Sequence, residues 1–204
     1  KADLEAALKT GFTLEAAFTI PTLSTSATSI IGATSGGGFG ISISPNGELK
    51  AQMHTGSSYA EVLSADTFTA GEYVHIALVF DAENAKIQFY INGKSVGETD
   101  AAKFNPGGWK SAIGLGGSTA STTNYTNFAT NPNIYTLCKI YSDGFTSAQA
   151  EQAYKNERIR IGMTEESGEQ EEQPVRDFDK PVLRFLVTSD IQPKDAEKMG
   201  NQRI

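Results

Sequence analysis

Two stretches of the chain carry the residue types that hold a sugar. An aromatic face stacks on the apolar side of a pyranose, while Asn, Asp and backbone groups bond its hydroxyls. Phe104-Asn105-Pro106-Gly107-Gly108-Trp109 contains the only tryptophan. Residues 118–133 form a long polar run with Asn124, Tyr125, Asn127 and Phe128. Trp109, Asn124, Tyr125 and Asn127 are therefore the candidate carbohydrate-binding residues. Each has a plainer role open to it: Trp109 as a plug at the end of a sandwich, and 118–133 as a solvated connection. Asn124-Tyr125-Thr126 also fits a glycosylation sequon, a pattern common by chance.

Hydrolysis of a glycosidic bond needs something else, two carboxylates about 5–5.5 Å apart in retaining enzymes. The dense carboxylates, Glu165 to Glu172, stand in a stretch with almost no apolar residue. No catalytic residue is assigned in this chain. His75 stands mid-strand with Ala77 and Val79 on its face, which favours a packed or hydrogen-bonded histidine over a base. His54 closes a strand beside Thr55-Gly56-Ser57-Ser58, where exposure is expected. Cys138, between Leu137 and Lys139 in an apolar run, reads as a small buried residue.

The elements that would position these groups read as strands. Phe12, Leu14, Ala16, Phe18 and Ile20 alternate with Thr13, Glu15, Ala17 and Thr19, the period of a half-buried strand. Val74, Ile76, Leu78 and Phe80 repeat the pattern. So do Ile87, Phe89 and Ile91, which run into the turn signal Asn92-Gly93. Shorter strands are expected at 29–33, 39–44, 48–54 and 61–64, with Pro45-Asn46-Gly47 as a turn, and a last strand at 134–141. Thr146 and Gln149 make a capping box for one helix from Ser147 to about Arg158, expected to cap an edge or bridge two sheets. The fold class is all-β: a two-sheet antiparallel jelly-roll sandwich with one short C-terminal helix.

Composition sets the limits. The 204 residues hold 17 Lys+Arg against 24 Asp+Glu, a net charge of −7, which gives no basic footprint for nucleic acid. No apolar run reaches the roughly 18 residues of a transmembrane helix. The lone cysteine excludes an internal disulfide or a cysteine zinc cluster, and it does not fix the compartment, because many bacterial secreted proteins lack disulfides. No apolar signal segment follows Lys1, so the sequence reads as a mature form or a cut piece. Residues 163–180 carry seven acidic and two basic side chains and read as an acidic linker. The expected domains are thus 1–162, a jelly roll; 163–180, the linker; and 181–204, the start of something else.

Several strings together resemble one family. Phe12-Thr13-Leu14-Glu15-Ala16-Ala17-Phe18 resembles the opening strand of laminin-G-like jelly rolls of the concanavalin A-like lectin/glucanase superfamily. Tyr73-Val74-His75-Ile76-Ala77 is similar to the family's aromatic-x-His-Val-Ala strand, and Phe89-Tyr90-Ile91-Asn92-Gly93 to its Tyr-Val-Asn-Gly hairpin. Ile113-Gly114-Leu115-Gly116-Gly117 and Lys139-Ile140-Tyr141 resemble its later strands. The resemblance spans residues 10–156 and implies a lectin-like binding module for a carbohydrate or glycoconjugate. It also implies possible calcium, for which Asp81, Glu83, Asn84 and Asp100 have suitable oxygens but no marked spacing. The Glu-x-Asp-x-Glu run of laminarinase-type members is absent, and Thr136 and Leu137 stand where an acidic pair is usual.

After the linker, Val182-Leu183-Arg184-Phe185-Leu186-Val187-Thr188-Ser189-Asp190-Ile191-Gln192 resembles the first strand and metal loop of calcineurin-like metallophosphoesterases. That implies Asp190 and Gln192 as ligands of divalent metals in an intact phosphoesterase domain attached in cis. With His54 and His75 lying upstream, the remaining ligands would lie in a longer protein. A targeting module of this kind would work secreted, in the periplasm or at the cell surface. The alternatives are a scaffolding jelly roll with no ligand of its own, and the front end of a phosphoesterase active only at full length.

Overall fold

The alternating apolar residues pair into two antiparallel sheets whose inner faces share one core. The computed structural model describes residues 2–20, 22–106, 113–119, 125–126, 134–163 and 183–184. In chain order the elements are α1 (Ala2–Lys9), β1 (Phe12–Thr19), β2 (Thr28–Gly32), a 3-10 turn (Thr34–Gly36), β3 (Phe39–Ile43), β4 (Glu48–His54) and β5 (Tyr59–Thr67). There follow β6 (Tyr73–Asp81), β7 (Lys86–Ile91), β8 (Lys94–Asp100), β9 (Gly114–Leu115), β10 (Ser118–Thr119), β11 (Tyr125–Thr126), β12 (Ile134–Tyr141), α2 (Ser147–Arg160) and β13 (Leu183–Arg184). One sheet has the order β13-β12-β1-β6-β7-β8, the other β5-β4-β3-β2-β9, and β10 pairs with β11. This is the jelly-roll sandwich expected from the strand pattern.

The core is aromatic at one end. Phe12 packs its ring 4.5 Å from Phe39, 5.9 Å from Phe80 and 5.7 Å from Phe104, all four fully buried. Leu14, Phe18, Ile41, Ile76, Leu78, Phe89 and Ile140 extend the same cluster. The β7–β8 hairpin turns on Asn92 and Gly93, with φ of 50° and 75°. Two positive values mark the primed turn whose twist matches the strands, the conformation Asn-Gly favours.

Two features depart from the sequence reading. First, β1 is not half-buried. Thr13, Glu15 and Ala17, on its outward face, are 0–2 % exposed. The cause is α2, which lies across the outer face of the six-stranded sheet instead of capping an edge. Ala150 and Ala153 pack there on Ala77, Val79, Tyr90, Tyr141 and Phe145. A Cβ on Gly93 would stand 3.1 Å from Glu151 and Tyr154, so the helix rests on the hairpin turn. Its capping box is formed: Gln149 N–H donates to Thr146 Oγ1 and Thr146 N–H to Gln149 Oε1. Second, α1 precedes β1. Its Glu5–Lys9 pair at 3.0 Å is the i,i+4 spacing a helix brings together, and Leu8 enters the core fully buried.

Candidate functional site

One end of the sandwich brings together the anchors of both stretches singled out for sugar-binding chemistry. β4 ends at His54, and the turn through Thr55-Gly56-Ser57-Ser58 leads back into β5, so His54 and Tyr59 face each other across the ladder. Their rings meet edge-on at 4.9 Å. His54 Nδ1 lies 2.7 Å from the Asn105 carbonyl oxygen. Gly56 N–H also approaches His54 Nδ1, at 3.1 Å, so this nitrogen faces both an acceptor and a donor, and the tautomer decides which of the two bonds forms. Asn105 N–H in turn donates to His54 O at 3.0 Å, and Thr55 and Asn105 form a parallel bridge. His54 is half-buried as a result, where the sequence suggested exposure.

The chain of contacts continues to the second stretch. Tyr59 O–H donates to the Thr34 carbonyl, and burial raises the Tyr59 phenol above its ordinary range, so it stays a neutral donor. Thr34 Oγ1 lies 2.9 Å from Ser118 Oγ, which also accepts from Ser35 N–H at 2.8 Å. Asn105, His54, Tyr59, Thr34 and Ser118 are thereby linked in one row. Phe104, which roots the first stretch, is buried between Phe12 and Phe39. Gly56, Ser57 and Ser58 are exposed beside this row.

Of the residues named from sequence, Trp109, Asn124, Asn127, Asp190 and Gln192 lie outside the described residues, as do most of the linker and the end of the chain. Tyr125 is placed by its backbone, opposite Thr119 in the β10–β11 pair. Sequence reasoning missed Tyr59 and Thr34, and took Ser118 only as the start of the 118–133 run. Nothing in their types marks them, and only the ladder and the 3-10 turn bring them to His54 and Asn105.

Two of the calcium candidates, Asp81 and Asn84, are hydrogen-bonded to each other. Asp81 accepts from Asn84 N–H at 3.0 Å and from its amide at 2.7 Å, bonds that hold its carboxyl below the ordinary range. Asp81 and Asp100 both stand opposite Lys86 in the ladder, and the Lys86 ammonium pairs with Glu98. Among the described residues no three His, Cys, Asp or Glu groups come together to hold a metal.

A second polar cluster lies under α2. Glu15 accepts from His75 Nε2–H at 3.0 Å and from Tyr141 O–H at 2.8 Å, with Lys139 Nζ 4.0 Å away. Glu157, 3 % exposed, accepts from Tyr73 O–H at 2.6 Å, Thr136 O–H at 2.8 Å and the Arg160 guanidinium at 2.6 Å. Glu15 ties β1 to β6 and β12 within the sheet, and Glu157, on α2, holds the helix to Tyr73 and Thr136. His75 is thus the hydrogen-bonded strand histidine expected. Burial alone would raise Glu157, but the bonds from Arg160, Tyr73 and Thr136 together hold it below the ordinary 4.5. A depressed folded value means the contribution is complete above the unfolded value and is lost as pH falls through the folded one. Urea midpoints between pH 7 and pH 3 are expected to fall less steeply in Glu157→Gln than in the parent. Equal slopes would remove Glu157 from the acid response.

Other proteins share this architecture. A laminin-G-type family model described as the concanavalin A-like lectin/glucanases superfamily matches residues 2–135. The fold is similar to the CBM40 of a Ruminococcus gnavus IT-sialidase bound to α2,3-sialyllactose, at TM-score 0.59 and 16 % identity over 74 % of this chain and 85 % of that one. It is similar to a heptameric SAP-like pentraxin from Limulus polyphemus, at TM-score 0.55 and 13 % identity over 72 % and 70 %. A botulinum neurotoxin type C structure, described as depending on two ganglioside molecules for cell entry, matches at TM-score 0.57 and 11 % identity over 76 % of this chain and 37 % of that one. No protein of curated function matches the chain by sequence.

Proposed function

This chain belongs to the concanavalin A-like lectin/glucanases superfamily, and from that membership we propose that it is a lectin-like binding module taking a glycan at the His54–Tyr59 end of the sandwich. The observation that carries the reading is the linked row Asn105–His54–Tyr59–Thr34–Ser118. It roots both sequence-selected stretches on one rigid end. In this reading Trp109 and Tyr125 stack on the sugar ring, and Asn124 and Asn127 bond its hydroxyls. That solved structures bound to sialyllactose or tied to gangliosides share the fold supports a glycan as ligand.

The finer reading adds a metallophosphoesterase in cis, supported by the string 182–192. The jelly roll would hold that enzyme, outside the cell, near a glycosylated target and so raise its effective concentration there. Asp190→Ala in a protein carrying the complete phosphoesterase would abolish its activity, and an unchanged rate would remove this arm.

The test of the binding reading is a glycan array with the whole chain, with calcium and with chelator. Selective capture is expected, weakened about tenfold or more in Trp109→Ala, in keeping with one lost aromatic contact of about 0.5–1.5 kcal/mol plus its buried area. Loss with chelator would add calcium to the site. Silence from folded protein would favour a scaffold instead, a reading supported by the pairing of Leu183–Arg184 onto β12.

A further inference from the structure

We infer that His54 is a pH-set latch on the candidate site: its Nδ1 serves either the Gly56 N–H or the Asn105 carbonyl, and protonation commits it to Asn105 and frees Gly56. The latch regulates the site proposed above and rests on the glycan reading only for its effect on capture. His54 Nδ1 lies 2.7 Å from Asn105 O and 3.1 Å from Gly56 N. Both are bonding distances, and one ring nitrogen cannot donate and accept at once. With the ring neutral and its proton on Nε2, the Nδ1 lone pair accepts from Gly56 N–H, and no proton lies between the ring and Asn105 O. Acid adds a solvent proton to that lone pair. Nδ1–H then donates to Asn105 O, Gly56 N–H loses its acceptor, and the ring carries one positive charge. Both nitrogens are now donors, so only the Asn105 bond remains. Its 2.7 Å length suits a charge-assisted bond.

The two partners of the ring stand against each other. Gly56 has a φ of 117°, and a Cβ there would lie 2.6 Å from Asn105 Nδ2. The turn and the Asn105 stretch therefore share a contact as well as a nitrogen. Their bases are held independently of the ring. Thr55 N–H and Thr55 O–H both donate to Ser58 O, at 2.9 and 3.1 Å, and Asn105 N–H donates to His54 O. What the latch moves is thus the exposed tip at Gly56 and Ser57, beside the root of the Trp109 stretch. The groups around the ring leave the choice to its own proton. From β5, the Tyr59 phenol meets it edge-on and gives its hydrogen bond to Thr34 O. Glu61, next on the same face of β5, is paired with Lys50 of β4 at 3.1 Å. Before β3, the Gly38 carbonyl takes His54 N–H at 2.9 Å. Lys103, on the stretch leading to Asn105, is exposed. The Asn105 carbonyl is therefore the acceptor that the imidazolium finds. The ring is half-buried and within reach of solvent, and imidazole is the side chain whose charge changes near neutral pH.

The test uses the whole chain, isotope-labelled for NMR, from about pH 5 to about pH 8, the range in which histidine changes charge. Imidazole nitrogen shifts read the tautomer and charge of the ring. His54→Gln assigns the signals, since the chain has two histidines. A neutral ring protonated on Nε2 is expected at the upper end and an imidazolium at the lower. Exchange of the Gly56 amide, corrected for its intrinsic pH dependence, is expected to quicken about fivefold to tenfold along the same curve, the worth of one net hydrogen bond. In His54→Gln it is expected to stay level, and should that variant not fold, the two curves of the parent decide. A ring protonated on Nδ1 throughout, a ring that keeps one charge across the range, or a Gly56 amide that ignores the ring would each overturn the latch. Glycan capture is expected to rise about threefold or more toward the lower end, as every molecule gains the Asn105 bond. Level capture while the Gly56 amide follows the ring would overturn the latch as a regulator of the site. Silence at both ends counts against the glycan reading, and the amide curve then decides the latch alone.

Discussion

Replacing Glu15 with alanine is expected to cost the domain about 3–5 kcal/mol, the effect of stripping two buried donors of their shared acceptor. The carboxylate is 2 % exposed and receives both His75 Nε2–H and Tyr141 O–H. Without it two buried donors lose their acceptor, at about 1–3 kcal/mol each. His75 Nδ1 already lacks a hydrogen-bond partner, so the ring has no second anchor. Glu15→Gln keeps the volume and one acceptor, and is expected to recover roughly half of the loss. The triple variant Glu15→Leu, His75→Leu, Tyr141→Phe removes donors and acceptor together and is expected to lie closer to the parent than Glu15→Ala does. Urea unfolding at pH 7 measures all three. A cost below about 1 kcal/mol for Glu15→Ala would show that water enters beneath α2 and serves the two donors.

Phe104→Ala is the second large effect, expected at about 3–5 kcal/mol from lost burial and the cavity left behind. Its ring lies 5.7 Å from Phe12 and 5.6 Å from Phe39, edge-on to both. The position matters beyond stability. Asn105 follows directly and exchanges hydrogen bonds with His54, so Phe104 is the root from which the Trp109 stretch departs. Weakened glycan capture is therefore expected in Phe104→Ala even under conditions where it remains folded. Phe104→Leu, which keeps most of the apolar volume, is expected to retain capture and lose about 1.5 kcal/mol or less. Calorimetry beside the array separates the two effects. Full capture by folded Phe104→Ala would detach the Trp109 stretch from the site.

Most strands were readable because period-two alternation and the Asn92-Gly93 turn are local signals; the order of the strands in the sheets and the mostly polar β8 were not. The Thr146–Gln149 box was readable too. What escaped was long-range. Thr13, Glu15 and Ala17 look like a solvent face until a helix more than a hundred residues later covers them. Glu15 is an ordinary surface residue by type and a buried acceptor by position. The helix Ala2–Lys9 went unread because eight residues hold too few turns for a clear periodicity, and among its described side chains it is Leu8 that enters the core. At the candidate site the residue types of the two polar stretches gave the chemistry, and His54 was visible as a strand end. Its joining to Tyr59, Thr34 and Ser118 depends on the β4–β5 register and on the turn at Thr34–Gly36. Neither leaves a mark in a single sequence.

The central place of β1 also bears on how the chain comes to be folded. Its neighbours are β6 and β12, and the bond from Tyr141 to Glu15 closes a loop of 126 residues. A ribosome delivers residue 12 long before residue 141. Until then β1 has one partner missing and its outer face bare. Such non-local pairing slows folding, and here it defers completion to the moment the last strand arrives. The sandwich therefore stays open until residue 141 has been made.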